Sequence, residues 1–197
     1  MQGHHKSDGY SPYRKLESDA YPHITGIPCL QHIKRKFIDS GENDPDVKRS
    51  VELINKLYQN EHKHKVGVDG WTAEQHLAHR KKYALDILGE IKDVLDEIEE
   101  RGDLLPKSEL QEAITYLRNE WNAVVDIFNY GDTYLDNNMV ERMNRYISLS
   151  RKNSLFFGSH KGAERGAILY TIALTCRMHK VNLFEYLTDV INRTAEW

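Results

Sequence analysis

The stretch DNNMVERMNRYISLSRKNSLFFGSHKGAERGAILYTIALTCRMHKVNLFEYLTDVI, residues 136–191, decides how this chain is read. Asp136-Asn137-Asn138 leads into a helix whose apolar positions are Met139, Met143 and Ile147, one turn apart. Glu141 lies off that stripe. Between Met139 and Arg165 stand six basic residues, Arg142, Arg145, Arg151, Lys152, Lys161 and Arg165, against two acids, Glu141 and Glu164, a local net of +4. Such a run suits contact with a phosphate backbone, the bland alternative being a solvated basic face. Gly162 to Met178 reads as a helix with small residues at Ala163, Gly166, Ala167 and Ala173, which permit close packing against a neighbour. Asn182-x-x-Glu185 has the form of a cap for a last helix reaching about Arg193.

Working outward, the preceding residues change texture. Leu110, Ile114, Leu117, Trp121 and Val125 define an amphipathic helix behind Ser108-x-x-Gln111, which has capping-box form. Thr72-x-x-Gln75 has the same form and opens a long polar helix with one apolar stripe at Ile87, Ile91, Val94 or Leu95, and Ile98. From Asp86 to Asp103 eight acids face only Lys92 and Arg101, a local net of −6, so DNA is not expected there. Asp44-Pro45 is a cap followed by a first-turn proline, with Val47, Val51, Ile54 and Leu57 at helical spacing behind it. Residues 45 to 129 therefore read as all-helical. Residues 1 to 43 mix strand and turn signals: Asp8-Gly9-Tyr10 ends a strand in a turn, Ile24 to Leu30 is a short buried strand, and a helix follows from about Gln31 to Ile38.

The composition is that of a globular chain. Over 197 residues, 40% are hydrophobic and 29% charged, which allows a sizeable core and excludes a disordered composition. A formal charge of −3 excludes a uniformly basic coat, so nucleic-acid contact has to rely on local patches. The opening residues hold no apolar h-region, and the longest apolar run, Ala167 to Cys176, is too short for a bilayer. Cys29 and Cys176 are far apart and are expected to stay reduced in a bacterial cytoplasm.

Two carboxylates stand in suggestive places: Asp8 at a strand end and Glu141 on a helix beside the basic run. On spacing alone the plain readings outweigh the catalytic ones, Asp8 as a turn former before glycine and Glu141 as an i,i+4 partner of Arg145. Cys29-x-x-His32, His62-x-His64 and His76-x-x-His79 lack the four well-placed ligands of structural zinc. Asn137 and Asn138 fit helix capping or DNA contact, and Tyr10, Phe156 and Phe157 fit core packing better than base stacking.

Residues 136–191 closely resemble the end of transposases of the insertion sequence 66 family. SDGYSPYRKL at 7–16 resembles that family's second-aspartate segment, and CLQHIKRKF at 29–37 its Cys-x-x-His-x-x-Arg-Lys-Phe segment, in the same order and at similar separations. The resemblance implies an α/β, RNase H-like DDE fold, truncated at its amino terminus and predominantly helical. Its parts would be a partial core at 1–44, a helical insertion at 45–129, the glutamate helix and basic segment at 130–160, and a helical region at 161–197. It implies that Asp8 is the second acid of the triad and Glu141, in Asp-Asn-Asn-x-x-Glu-Arg, the third. Both would be catalytic and ligate Mg²⁺ in a two-metal site, carboxylates being the hard oxygen donors that ion prefers. Arg142, Arg145, Arg151, Lys152 and Lys161 would contact DNA.

Only seven residues precede Asp8, and the first acid has no counterpart among them. The expectation is a fragment that does not cleave DNA alone. Its full-length relatives would hydrolyse phosphodiesters and transfer strands at the terminal repeats of an insertion sequence and at its target, as homo-oligomers or with accessory proteins, at the nucleoid rather than a membrane. Two alternatives are an inactive DNA-binding or regulatory remnant, and an unfolded relic.

Overall fold

Ile24, Thr25 and Ile27 are β-branched, and Pro28 closes their segment because it has no N–H to continue a ladder. In the computed structural model, which describes residues 3–7, 24–63 and 70–194, Gly3–Ser7 (β1) and Ile24–Pro28 (β2) pair as a two-stranded parallel sheet. Gly3 stands opposite Ile24, and Ser7 opposite Pro28. The strand expected to reach Leu30 thus stops at Pro28. Cys29 stays extended as the N-cap of Leu30–Asp39 (α1), which buries Leu30, Ile33 and Phe37.

Three helices fill the span 45–129: Pro45–Lys63 (α2), Ala73–Glu100 (α3) and Glu109–Ile127 (α4). Their starts follow from local chemistry. Asp44 Oδ1 accepts from the N–H groups of Asp46 (2.8 Å) and Val47 (3.3 Å), and Pro45 sits where no N–H is needed. Thr72 and Gln75 make both halves of a capping box. Ser108 makes only one, because its own N–H donates to the Leu105 carbonyl at 3.0 Å. Leu53, Ile54 and Leu57 of α2, Ile87 to Ile98 of the α3 stripe, and Ile114, Leu117, Val124 and Ile127 of α4 join α1 and Ile27 in one core.

The acidic run of α3 is explained by its neighbours. Asp46 pairs with Arg101, Arg49 with Glu97, and Lys56 with Glu90 at 3.1 Å, so α2 and α3 run antiparallel. On the other flank Arg118 of α4 pairs with Asp96 and Glu99. These contacts are exposed or half-exposed and set register more than stability.

Compact units divide at Met1–Asn137 and Asn138–Trp197. The second contains Asn138–Ser150 (α5), His160–Met178 (α6) and Leu183–Thr194 (α7). Ser159 caps α6 through Gly162 N at 3.0 Å, and Asn182 caps α7 through Phe184 N at 3.0 Å. The small residue Gly166 admits the Phe157 ring, which a Cβ there would meet. Phe156 and Phe157 depart from the core packing expected of them: they are 83% and 51% exposed. The fold is predominantly helical, and none of its described helices is long and apolar enough to cross a membrane.

Gly131, buried in the first unit, lies so close to the start of α3 that a Cβ would run into the carbonyl oxygen and carbon of Ala73. Gly131→Ala is expected to lower the urea midpoint of the 197-residue chain by the equivalent of about 1–3 kcal/mol with an unchanged m-value, the usual cost of forcing backbone apart.

Candidate functional site

The carboxyl ends of the two parallel strands lie side by side, since Ser7 is opposite Pro28. One turn of chain beyond β2, the Leu30 N–H donates to the Leu135 carbonyl at 2.9 Å, and Leu135 itself is buried. Leu135, the residue before Asp136, is thereby fastened beside the end of β2, the end of the strand pair at which β1 stops. Around this point the Cys29 thiol is pushed up by burial, which outweighs the backbone N–H groups of Asn137, His32 and Gln31 that favour its thiolate. The Tyr58 hydroxyl is pushed up by burial and then by the neighbouring charges of Asp136 and Cys29. Asn137 Oδ1 is buried without a hydrogen bond.

A second fastening comes from inside the helical block. Arg80 of α3 is 0% exposed. Its Nε donates to Glu61 Oε1 at 2.8 Å and its Nη2 to Glu61 Oε2 at 2.7 Å, a bidentate pair with the end of α2. The remaining donors reach the connection after α4: Nη1 to the carbonyls of Ile127 and Tyr130 and to Thr133 Oγ1 at 2.9 Å, and Nη2 to the Thr133 carbonyl at 2.6 Å. His76, one turn earlier, donates from Nδ1 to the Gly131 carbonyl at 2.7 Å and has Nε2 3.4 Å from Glu61 Oε2. The Tyr83 hydroxyl also donates to Glu61. Burial pushes the Glu61 carboxyl up, but Arg80, then Tyr83 and His76, outweigh it and hold the group below the usual carboxylate range.

Glu141 lies in the first turn of α5, exposed, on the flank away from half-buried Met143 and Ile147. Arg142, Arg145, Arg151, Lys152, Lys161 and Arg165 are all exposed in the same unit. Met139, expected on the apolar stripe, is instead 40% exposed. Asp8 and Tyr10 lie outside the described residues. Among the described residues no three His, Cys, Asp or Glu side chains gather as a metal site. His76 hydrogen-bonds a carbonyl, and His79 packs between the rings of Trp71 and Tyr83. Glu141 offers a hard oxygen donor that suits Mg²⁺ in kind, though one carboxylate is too few to form a site.

The model of the transposase IS66 family matches residues 1–165. The chain belongs to that family. The chain is also similar to three uncharacterized proteins of Sinorhizobium fredii. With y4hP the chain is 31% identical over 96% of its own length and 36% of the relative's. With y4jD it is 28% identical over 94% and 36%, and with y4qI 29% identical over 96% and 35%. The chain thus spans about a third of the length of these relatives. No solved structure matches it.

Sequence reading missed Arg80, Glu61 and the His76 contact. The signal was present: His76, Arg80 and Ala84 prolong the Ile87–Ile91–Val94–Ile98 stripe at helical spacing, and Glu61 prolongs Val47–Ile54–Leu57. A charge in core register on each of two paired helices is the mark of a buried ion pair.

A carboxyl whose folded pKa is depressed contributes stability above its unfolded pKa and loses it as pH falls through the folded value. Stability should therefore fall as pH drops below about 4.3, the ordinary Glu range. Glu61→Gln should be markedly less stable near neutral pH, and its deficit against wild type should shrink as acid titrates the native carboxylate. Urea melts across that range read both effects.

Proposed function

We propose that the chain supplies the second and third acids, Asp8 and Glu141, of a DDE transposase that cuts DNA at insertion-sequence ends and joins it to a target. Family membership supports transposition. The observation that supports the residue assignment is the Leu30–Leu135 hydrogen bond, which holds Leu135, six residues before Glu141 in the sequence, beside the end of β2. The two-stranded parallel sheet is the remainder of a larger RNase H-like sheet in this reading, and residues 45–129 are a helical insertion between the two acids. A parallel pair supports that, since parallel strands belong to sheets covered on both faces.

Asp8 and Glu141 would hold Mg²⁺ with the first acid of the intact enzyme. Once bound, the ions supply activation of the attacking oxygen and stabilisation of the leaving oxygen. The chain's own work is binding and alignment. Carboxylate oxygens at 8 and 141 fix the metal-binding geometry, and Arg142, Arg145, Arg151, Lys152 and Lys161 grip phosphates beside it, neutralising charge without reading sequence.

The 197-residue chain alone should not cleave DNA with Mg²⁺. Fused to the amino-terminal part of y4hP, it should cleave insertion-sequence ends, and Asp8→Asn or Glu141→Gln should abolish that activity, since each keeps shape and removes a charged ligand. Cleavage surviving both substitutions would overturn the assignment.

DNA affinity should fall steeply with salt. In Arg151→Ala/Lys152→Ala the log–log salt slope should become shallower by about 1.8, the expectation for two lost phosphate contacts. An unchanged slope in filter-binding titrations would show that these side chains form only a solvated face.

A further inference from the structure

The proposed reaction gives no role to the helices at 45–127, yet their buried guanidinium reaches the segment that precedes α5 in the sequence. Helix α4 ends at Ile127, and the carbonyls of a helix's last turn have no partners within it. A glycine-based cap would satisfy them locally. Here the N–H groups of Phe128 and Asn129 take the carbonyls of Val125 and Asp126, while a guanidinium from another helix takes that of Ile127 and reaches onward to Tyr130 and Thr133. His76 takes the Gly131 carbonyl between them, and Leu30 takes that of Leu135. Five carbonyls between Ile127 and Leu135 are therefore pinned from two directions, four by α3 and that of Leu135 by the start of α1. Asp136 and Asn137 alone separate this pinned run from α5.

Core cohesion does not require this arrangement. Position 80 continues the apolar stripe of α3, and well-packed apolar residues in place of a buried ion pair are commonly as stable or more so. What an apolar side chain cannot reproduce is the fixed fork of donors that holds several carbonyls in one geometry. Glu61 and Tyr83 complete the device by holding the guanidinium itself.

Resting on the reading of Glu141 as the third acid, we infer that Arg80, locked by Glu61, is a positioning residue for the glutamate helix: it fixes the residues from Ile127 to Thr133 so that the chain leaves the first unit toward α5 from a rigid mount. The helical block acts on the site through this mount. Thr133 is the sensitive point, because its hydroxyl accepts from Arg80 and donates to the Ile127 carbonyl at 3.2 Å.

Hydrogen exchange on the 197-residue chain tests the mount without any catalytic assay. Thr133→Val keeps the shape and removes the hydroxyl, whereas Thr133→Ser keeps it. In Thr133→Val the amides of Phe128, Asn129 and Tyr130, and that of Leu30 on the Leu135 carbonyl, should exchange on the order of tenfold faster, the effect of one lost hydrogen bond to a charged group, while those of 91–98 and 114–117 keep their protection. Thr133→Ser should exchange like wild type. Arg80→Lys should loosen the same segment further if it folds, and the Thr133 pair decides the matter if it does not. In the y4hP fusion, Thr133→Val should lower kcat for strand cleavage and leave KM for DNA unchanged, with Thr133→Ser restoring the rate. Uniformly faster exchange, no change in exchange, or identical Val and Ser variants would overturn the positioning role, as would wild-type kcat in Thr133→Val. Cleavage surviving Glu141→Gln would overturn the catalytic reading instead, leaving the exchange result to stand or fall separately.

Discussion

The geometry of the first unit, more than its cohesion, depends on one buried ion pair. Arg80 and Glu61 are both withdrawn from water, and a guanidinium in that setting is tolerable only because each of its nitrogens has an acceptor. Deleting one partner of such a pair leaves a stranded charge and costs about 3–5 kcal/mol, a large part of the 5–15 kcal/mol that holds an ordinary domain together. Around the pair, α2 and α3 are aligned antiparallel, α4 is stopped, and the chain is turned toward α5. The exposed pairs further along α2 and α3 repeat the alignment but are open to solvent and salt.

The two units are built differently. In the first, apolar stripes from four helices and β2 meet in one core. In the second, Cys176 is the one buried hydrophobic residue among the described residues, while Phe156, Leu155 and Phe184 are largely exposed. Its helices owe their boundaries to side-chain caps at Ser159 and Asn182 and to local contacts such as Phe157 on Gly166 and Arg177 over the Tyr146 ring at 4.2 Å.

Much of the fold was legible because its signals are local. Caps at Asp44, Thr72, Ser108 and Asn182 and the apolar periodicities behind them are properties of a few consecutive residues, and the helices follow them closely. Pro28 was visible too, yet the strand was read through it to Leu30, because the extended Cys29 cap has no marker of its own. The role of Arg80 was illegible for a different reason: its acceptors are backbone carbonyls up to Thr133, and a carbonyl has no letter in the sequence. Of the candidate site, Glu141 and its basic neighbours fall on one exposed helical region as read. Asp8 lies outside the described residues.

The pinned run from Ile127 to Leu135 also bears on how members of this family can drift in length. Five of its carbonyls, those of Ile127, Tyr130, Gly131, Thr133 and Leu135, have assigned donors, so adding or deleting one residue would slide several of them out of reach at once, whatever the intervening side chains. The turn between α3 and α4 is under no such restriction. Gly102 and Lys107 already sit at positive φ, and Leu105 is exposed, so extra residues after Leu104, which packs on the core, lengthen a solvent loop. Alignment gaps among relatives should accordingly collect at 105–107 and avoid 127–135, a pattern set by backbone geometry and independent of which residues catalyse.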